Sequence, residues 1–236
     1  MTVMLSKNEI KGIKALGQKK FRDERGVFVV EGEKLVEEAL RSGWKVEAVY
    51  RIEDIGEEVM ARISGLTHPS PALAIVRQPA PESFAMSPDE LVLALDGVRD
   101  PGNLGTIVRI ADWFGIKKIL ASEDTVELFN PKVVQATMGA IFRVKVHYVD
   151  LAECLRCRGL IPIYGTFLEG DDIYRAPLTR GGILVMGSEA HGVSPEVATT
   201  VTQKLFIPPF PPGAQTSESL NVAVATAIAV SEFRRR

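Results

Sequence analysis

Apolar positions recur along the chain with two different periods, and the alternation between them sets the expected order of elements. From Ser6 to Gly17 the apolar residues Ile10, Ile13 and Leu16 fall at helical spacing. Ser6 and Glu9 have the spacing of a capping box, and Gly17 supplies a stop. VFVVE (27–31) then reads as a strand, EKLVEEALRSG as a helix ended by Gly43, and VEAVYR (46–51) as a second strand. A helix around 55–64 and a strand LAIVR (73–77) complete a compact α/β unit. QPAPESFAMSPDE (78–90) holds Pro79, Pro81 and Pro88 with little apolar periodicity, which is linker composition.

Beyond the prolines the pattern changes. LVLALD (91–96) is continuously apolar, as expected of a strand buried on both faces of a parallel sheet. A helix follows at about 104–114, then the strand KKILAS. Asn130 and Pro131 suit an N-cap and a first helical position, opening the helix PKVVQATMGA. RVKVHY, LIPIYGTF and GILVMG read as strands between further helical stretches, LAECLRCRG among them. LFIP is a short last strand, and SLNVAVATAIAVSEFRRR closes the chain as a long helix. This alternation predicts an α/β fold with a largely parallel sheet and no internal repeat. The expected organisation is a small α/β domain over 1–78, a linker over 79–90 and a larger domain over 91–236.

Bulk properties narrow the class. With 236 residues, 46% of them apolar and 25% charged, the chain has the composition of a soluble protein with a substantial core. No apolar run reaches the roughly 18 residues a membrane span needs. The first ten residues lack the apolar segment of a signal peptide, so a cytoplasmic protein is expected. Cys154 and Cys157 form a lone C-x-x-C, and His68, His147 and His191 are scattered without ligand spacing. The cysteines read as small apolar residues of a helix, and no metal is assigned. A net charge of −2 does not speak for or against nucleic acid. Its distribution says more. Lys7, Lys11, Lys14, Lys19, Lys20, Arg22 and Arg25 face only Glu9, Asp23 and Glu24 in the first 25 residues, and the chain ends in Arg234, Arg235 and Arg236. Such local patches can meet phosphates although the whole protein is slightly acidic.

Three loops follow predicted strands of the second domain, the end at which open α/β sheets place ligands. In the first, DGVRDPGNLGTIVRIADWFGI (96–116), a polar turn with Asp100 and Asn103 precedes a helix bearing Arg109. A helix N-terminus there suits an anion. In the second, LVMGSEAHGVSPEV (184–197), Gly187 and Gly192 allow close backbone approach beside Glu189. In the third, IPPFPPGAQTSESLNVAVATA (207–227), Ser219 and Asn221 open the last helix, with Ser219 the expected N-cap.

In this order the three loops resemble the signature motifs of the SpoU/TrmH family of the SPOUT superfamily, the knotted RNA 2′-O-ribose methyltransferases. The family's D-P-x-N-x-G-x-x-x-R stands here as Asp100, Pro101, Asn103, Gly105 and Arg109. Its G-x-E-x-x-G stands as Gly187, Glu189 and Gly192, and its I-P and S-L-N-V as Ile207-Pro208 and Ser219-Leu220-Asn221-Val222. The resemblance covers essentially residues 90–236. Residues 20–77, with VFVVEGEKLVEEAL, resemble the ribosomal-protein-like substrate-binding domain that precedes it in many members. The chain departs from the pattern at Ala190, where the family commonly has glycine, and in a longer, proline-rich stretch with Pro208, Pro209, Pro211 and Pro212.

The resemblance implies a trefoil-knotted domain. S-adenosyl-L-methionine is then held mostly by backbone groups at Gly187, Ile207 and Leu220, with Thr166 a further candidate. It also implies a homodimer in which the arginine of one subunit stands beside the cofactor of the other, and a structured RNA substrate, ribosomal in preference to transfer RNA. A transfer-RNA enzyme, or a non-catalytic RNA-binding protein that keeps the knot, are the competing expectations. Catalysis is expected of Arg109, Asn103, Glu189, Ser219 and Asn221. The family assigns its arginine the role of base, but a guanidinium stays protonated far above neutral pH. Arg109 is therefore expected to bind the RNA phosphate and hydroxyl, with Asn103 and Asn221 orienting it, Glu189 fixing the second loop and Ser219 supporting cofactor or ribose.

Overall fold

Residues 5–211 and 217–235 are described by the computed structural model. In chain order the elements begin with α1 (Lys7–Ala15), α2 (Lys19–Arg25), β1 (Val27–Glu31), α3 (Glu33–Arg41) and β2 (Val46–Arg51). They continue with α4 (Ile52–Ile55), α5 (Glu57–Ile63), β3 (Ala72–Arg77), β4 (Leu91–Asp96), α6 (Pro101–Trp113) and β5 (Lys118–Ser122). Next come α7 (Pro131–Thr137), a single 3₁₀ turn Ala140–Phe142, β6 (Lys145–Val149), α8 (Leu151–Arg156) and β7 (Ile163–Asp172). β8 (Gly182–Gly187), α9 (Pro195–Ala198), β9 (Gln203–Phe206) and α10 (Val222–Arg235) complete the chain. Two compact units emerge. One runs to Glu82 and includes Glu127–Arg143; the other comprises Ser83–Val126 and the chain from Val144 onward.

The N-terminal unit is built on a three-stranded antiparallel sheet in the order β1-β3-β2. The expectation of parallel pairing therefore holds only for the second unit. The α3 crossover leaves β1 and β2 pointing the same way, and β3 fills the slot between them in the opposite direction. β3 is buried through its first five residues because both faces of this small sheet are covered. On one face Leu73 and Ile75 pack with Ile10, Ile13, Leu16, Met60 and Ile63. α3 and α7 supply further cover, α7 against β1. Phe129 meets Phe28 with ring centroids 4.8 Å apart, and Phe142 meets Trp44 edge-on at 5.3 Å.

α1 carries the full capping box, with Ser6 Oγ accepting from the Glu9 amide and Glu9 accepting from the Ser6 amide. α2 has no apolar stripe, and its buried side chain is Arg22, so hydrophobic periodicity does not reveal it. The Arg22 guanidinium pairs with Glu127 and donates to the Leu16 carbonyl at 2.7 Å. α7 stops at Thr137, short of its expected end, because Met138 and Gly139 turn left-handed with φ of 50° and 94°.

The second unit holds six parallel strands in the order β6-β5-β4-β8-β7-β9. The central pair β4 and β8 runs in register from Leu91↔Gly182 to Asp96↔Gly187. Both strands match their apolar runs, since each is covered on two faces. Val92, Ala94, Ile183 and Val185 face Leu151 and Leu155 of α8 and Val197 of α9, with Phe84 and Met86 packed against the same cluster. α6 and α10 pack on each other, and α10 also touches β8. Two elements are displaced from their expected places. α6 starts at Pro101 rather than near 104, and β9 lies at 203–206, earlier than LFIP. No helix among the described residues is long and apolar enough to cross a membrane.

Candidate active site

Parallel strands bring all their C-terminal ends to one edge of the sheet, so the loops after β4 and β8 emerge side by side. The first of them is set by a cap. Asp100 Oδ1 accepts the Asn103 amide at 2.8 Å and Pro101 takes the first helical position, which fixes Asn103 in the opening turn of α6. The second is pinched shut. Ser188 and Gly192 exchange two backbone hydrogen bonds of 2.9 Å, leaving Glu189, Ala190 and His191 at the tip. Gly187 makes that pinch possible, because a Cβ there would lie 2.2 Å from the Gly192 carbonyl carbon. Asp96, at the end of β4, accepts the Ser194 amide at 2.7 Å and so ties down the chain leaving this loop.

The third loop ends in a cap supplied by a different residue from the one expected. Asn221 Oδ1 accepts from the amides of Ala223 at 3.0 Å and Val224 at 3.2 Å, so Asn221 caps α10 and Ser219 does not. Ser219 is exposed, and its carbonyl accepts from Ser217 Oγ at 3.4 Å.

These loops converge on Glu189. Its Oε1 accepts from Asn103 Nδ2 at 2.9 Å, Asn221 Nδ2 at 2.7 Å and the Val222 amide at 3.3 Å. Asn221 Nδ2 also donates to Asn103 Oδ1 at 3.0 Å. A carboxylate only accepts, so both asparagines turn their NH₂ groups towards it, and the cap fixes the other end of Asn221. One oxygen thus ties its own loop to two others, whose asparagines stand 86 and 32 positions away.

Arg109 lies apart from this cluster. It sits six residues beyond Asn103 on α6, about 9 Å along the axis and on a different face. Its side chain is exposed and makes no hydrogen bond or ion pair to another described residue. Thr166, at the point where β7 leaves β8, donates from Oγ1 to the Val185 carbonyl at 3.3 Å and so joins the two strands. Ile207 is half-buried just after β9 and Leu220 is exposed just before α10. Neither makes a backbone hydrogen bond to another described residue. Ala190 is exposed at the loop tip; Pro212 and residues 213–216 lie outside the described residues.

Sequence reasoning named Asp100 as a motif residue without its capping role, and it missed Asp96, the other carboxylate that holds the loops. Asp100 was legible as a capping residue directly before a proline; Asp96 was hidden at the end of an apolar strand. The thiols of Cys154 and Cys157 are free, and burial pushes that of Cys154 up, with Cys157 and Asp150 adding to the shift. Among the described residues no group of three His, Cys, Asp or Glu side chains could hold a metal ion.

Comparison with known proteins decides the family. A model described as the SpoU rRNA Methylase family matches residues 90–231. The chain belongs to that family. The model of an MRM3-like substrate binding domain matches residues 7–65 of this SpoU methylase. It is 31% identical, over 97% of both chains, to the 23S rRNA (guanosine(2553)-2'-O)-methyltransferase RlmP of Bacillus subtilis. A 23S rRNA (uridine(2479)-2'-O)-methyltransferase of Streptomyces viridochromogenes is 26% identical, with 94% of this chain and 87% of that one covered. The crystal structure of an AdoMet-bound rRNA methyltransferase from Sinorhizobium meliloti superposes with a TM-score of 0.88 at 32% identity, covering 100% of this chain and 97% of that one. The α/β class and the six-stranded parallel sheet of this SpoU methylase are those of its structural relatives.

Proposed function

We propose that this protein transfers a methyl group from S-adenosyl-L-methionine to a ribose 2′-hydroxyl of ribosomal RNA. The observation that carries the reading is the Asn103–Glu189–Asn221 cluster, which knits the three signature loops together at the ligand-binding edge of the sheet. Relatives along the whole chain are named for ribose methylation of 23S rRNA, and the N-terminal unit matches a substrate-binding domain. Both favour ribosomal over transfer RNA.

The residues present fit the cofactor. The backbone groups of Ile207 and Leu220 would hold it, and Gly187 would let it approach the end of β8; Thr166 would support this wall through β7. When bound, S-adenosyl-L-methionine supplies a methyl group already activated for transfer. The chain then has to align the hydroxyl and assist loss of its proton. Arg109 would grip the phosphate beside the target ribose and orient the hydroxyl, leaving that phosphate to help take the proton. Glu189, Asn103 and Asn221 would hold the loops at fixed separation, and Ser219 would line the ribose side.

Because Arg109 stands away from the cluster of its own chain, the working site needs a second copy. Trp113 at the end of α6 is 85% exposed and Val224 at the start of α10 is 49% exposed, two apolar side chains on packed helices that a second copy would cover. In that dimer Arg109 would complete the partner's site. The same reading includes a knot formed around the third loop, domain limits in chain order at 1–78 and 91–236 about a 79–90 linker, with Glu127–Arg143 lent to the first unit, and a cytoplasmic location. It is tested by transfer of labelled methyl to ribosomal RNA, with the product mapped by alkali-resistant linkages. A 2′-O-methyl mark that disappears with Arg109→Ala supports it; cofactor binding without a mark on free RNA or on ribosomal particles defeats it.

A further inference from the structure

The N-terminal unit contains a cleft of about 310 Å³ that the proposed reaction leaves unused. Val29, Leu66, Pro131 and Ala136 give it apolar walls, and Glu31 is its buried polar member, 9% exposed at the end of β1. Glu31 Oε2 accepts from Ser64 Oγ and Oε1 from the Gly65 amide, each at 2.7 Å. A carboxylate offers about four acceptor positions, so each oxygen keeps capacity for another donor. Burying such a group is costly unless its acceptors are used. Lys132 and Gln135 of α7 also line the cleft, and neither side chain is bonded to another described residue.

We infer that this cleft binds an unpaired guanine of the RNA, an inference that rests on the RNA substrate proposed above. The match is one of edges. Guanine carries two neighbouring donors, N1–H and the N2 amino group, which the two Glu31 oxygens accept side by side. Adenine and cytosine place an acceptor next to their amino group, and uracil flanks its one N–H with two carbonyls. Either arrangement would set a lone pair against the carboxylate. The apolar walls cover the faces of the ring, and unpaired bases are the parts of RNA that proteins read in this way. Lys132, exposed beside the cleft, meets the phosphate of the same nucleotide.

The test uses the full chain with its cofactor site filled by S-adenosylhomocysteine. Binding of single-stranded RNA heptamers with a central guanosine, inosine or uridine is followed by fluorescence anisotropy. The guanosine heptamer is expected to bind about tenfold more tightly than the uridine one, with inosine between them because it lacks the N2 amino group. Glu31→Gln should level the three, and Lys132→Ala should weaken them equally. Equal binding by the unaltered protein overturns the inference without any variant. So does a guanosine preference that survives Glu31→Gln in a folded protein, or guanosine monophosphate binding as tightly as the heptamer. Labelled methyl transfer to ribosomal RNA, measured in parallel, separates the two levels. Intact transfer without base preference removes the cleft alone, whereas base preference without transfer removes the enzymatic reading.

Discussion

Each unit has a carboxylate at its centre, and the two are used in opposite ways. In the C-terminal unit Glu189 is exposed and gathers three neutral N–H donors from the starts of α6 and α10. In the N-terminal unit Glu127 meets the guanidinium of Arg22, whose side chain is 2% exposed. Exposure decides what such a contact is worth. Water competes for every partner of Glu189, so its cluster sets geometry at modest cost to stability. Water does not reach Arg22, so that contact holds the fold and gives nothing to a ligand.

Breaking the buried pair should have the largest effect. Arg22→Ala is expected to cost about 3–5 kcal/mol, read as a fall in the urea midpoint of the N-terminal unit. Arg22→Met combined with Glu127→Leu should recover most of it, since two apolar residues leave no orphan charge. A double variant no better than the single one would mean that packing, and not charge, dominates there. At the other pole, Arg109→Ala should lower methyl transfer by about 10²–10³-fold with unchanged cofactor affinity and melting temperature. Arg109→Lys with near-full transfer would remove the two-pronged grip on phosphate from the mechanism.

Asn221 sharpens the comparison because it serves both purposes. Asn221→Ala should cost about 1 kcal/mol through the lost α10 cap, and should slow transfer about tenfold through the lost amide bond to Glu189. Asn221→Asp keeps the cap but sets a second carboxylate against Glu189. It should therefore be the more stable of the two and the less active. The smallest effect is expected at the cysteines. With its pKa pushed up by burial, Cys154 holds little thiolate at neutral pH, so iodoacetamide should label exposed Cys157 first. Raising the pH above the usual thiol range should narrow the gap. Cys154 reacting first at neutral pH would show that the pair is reactive after all.

The same contrast separates what could be read in the sequence from what could not. Elements with a local signal stand where the pattern placed them. Examples are β4 and β8 from their apolar runs and α1 from its capping box. α2 escaped because its one fully buried residue is an arginine, whose partner lies more than a hundred positions away. The antiparallel order of the small sheet depends on long-range pairing that no period of two can encode. At the site, family likeness supplied Asn103, Glu189 and Asn221 as separate members of three motifs. That one oxygen binds them together is a fact of the fold. Asn221 displaced Ser219 as the cap because its side chain must also reach Glu189, a demand set by a loop 32 residues earlier.

The membership of Glu127–Arg143 in the N-terminal unit has a consequence for synthesis on the ribosome. A nascent chain that has emerged as far as Glu82 already has every strand of its first sheet, yet it lacks α7, Phe129, Phe142 and the partner of Arg22. At about 5–20 residues per second, the wait until Arg143 appears is roughly 3–12 s. During that interval Phe28 and Trp44 lack their later cover and Arg22 has no counter-charge. The first domain to be made is therefore finished only when about a third of the second has been translated, and in that window it is open to chaperones and proteases.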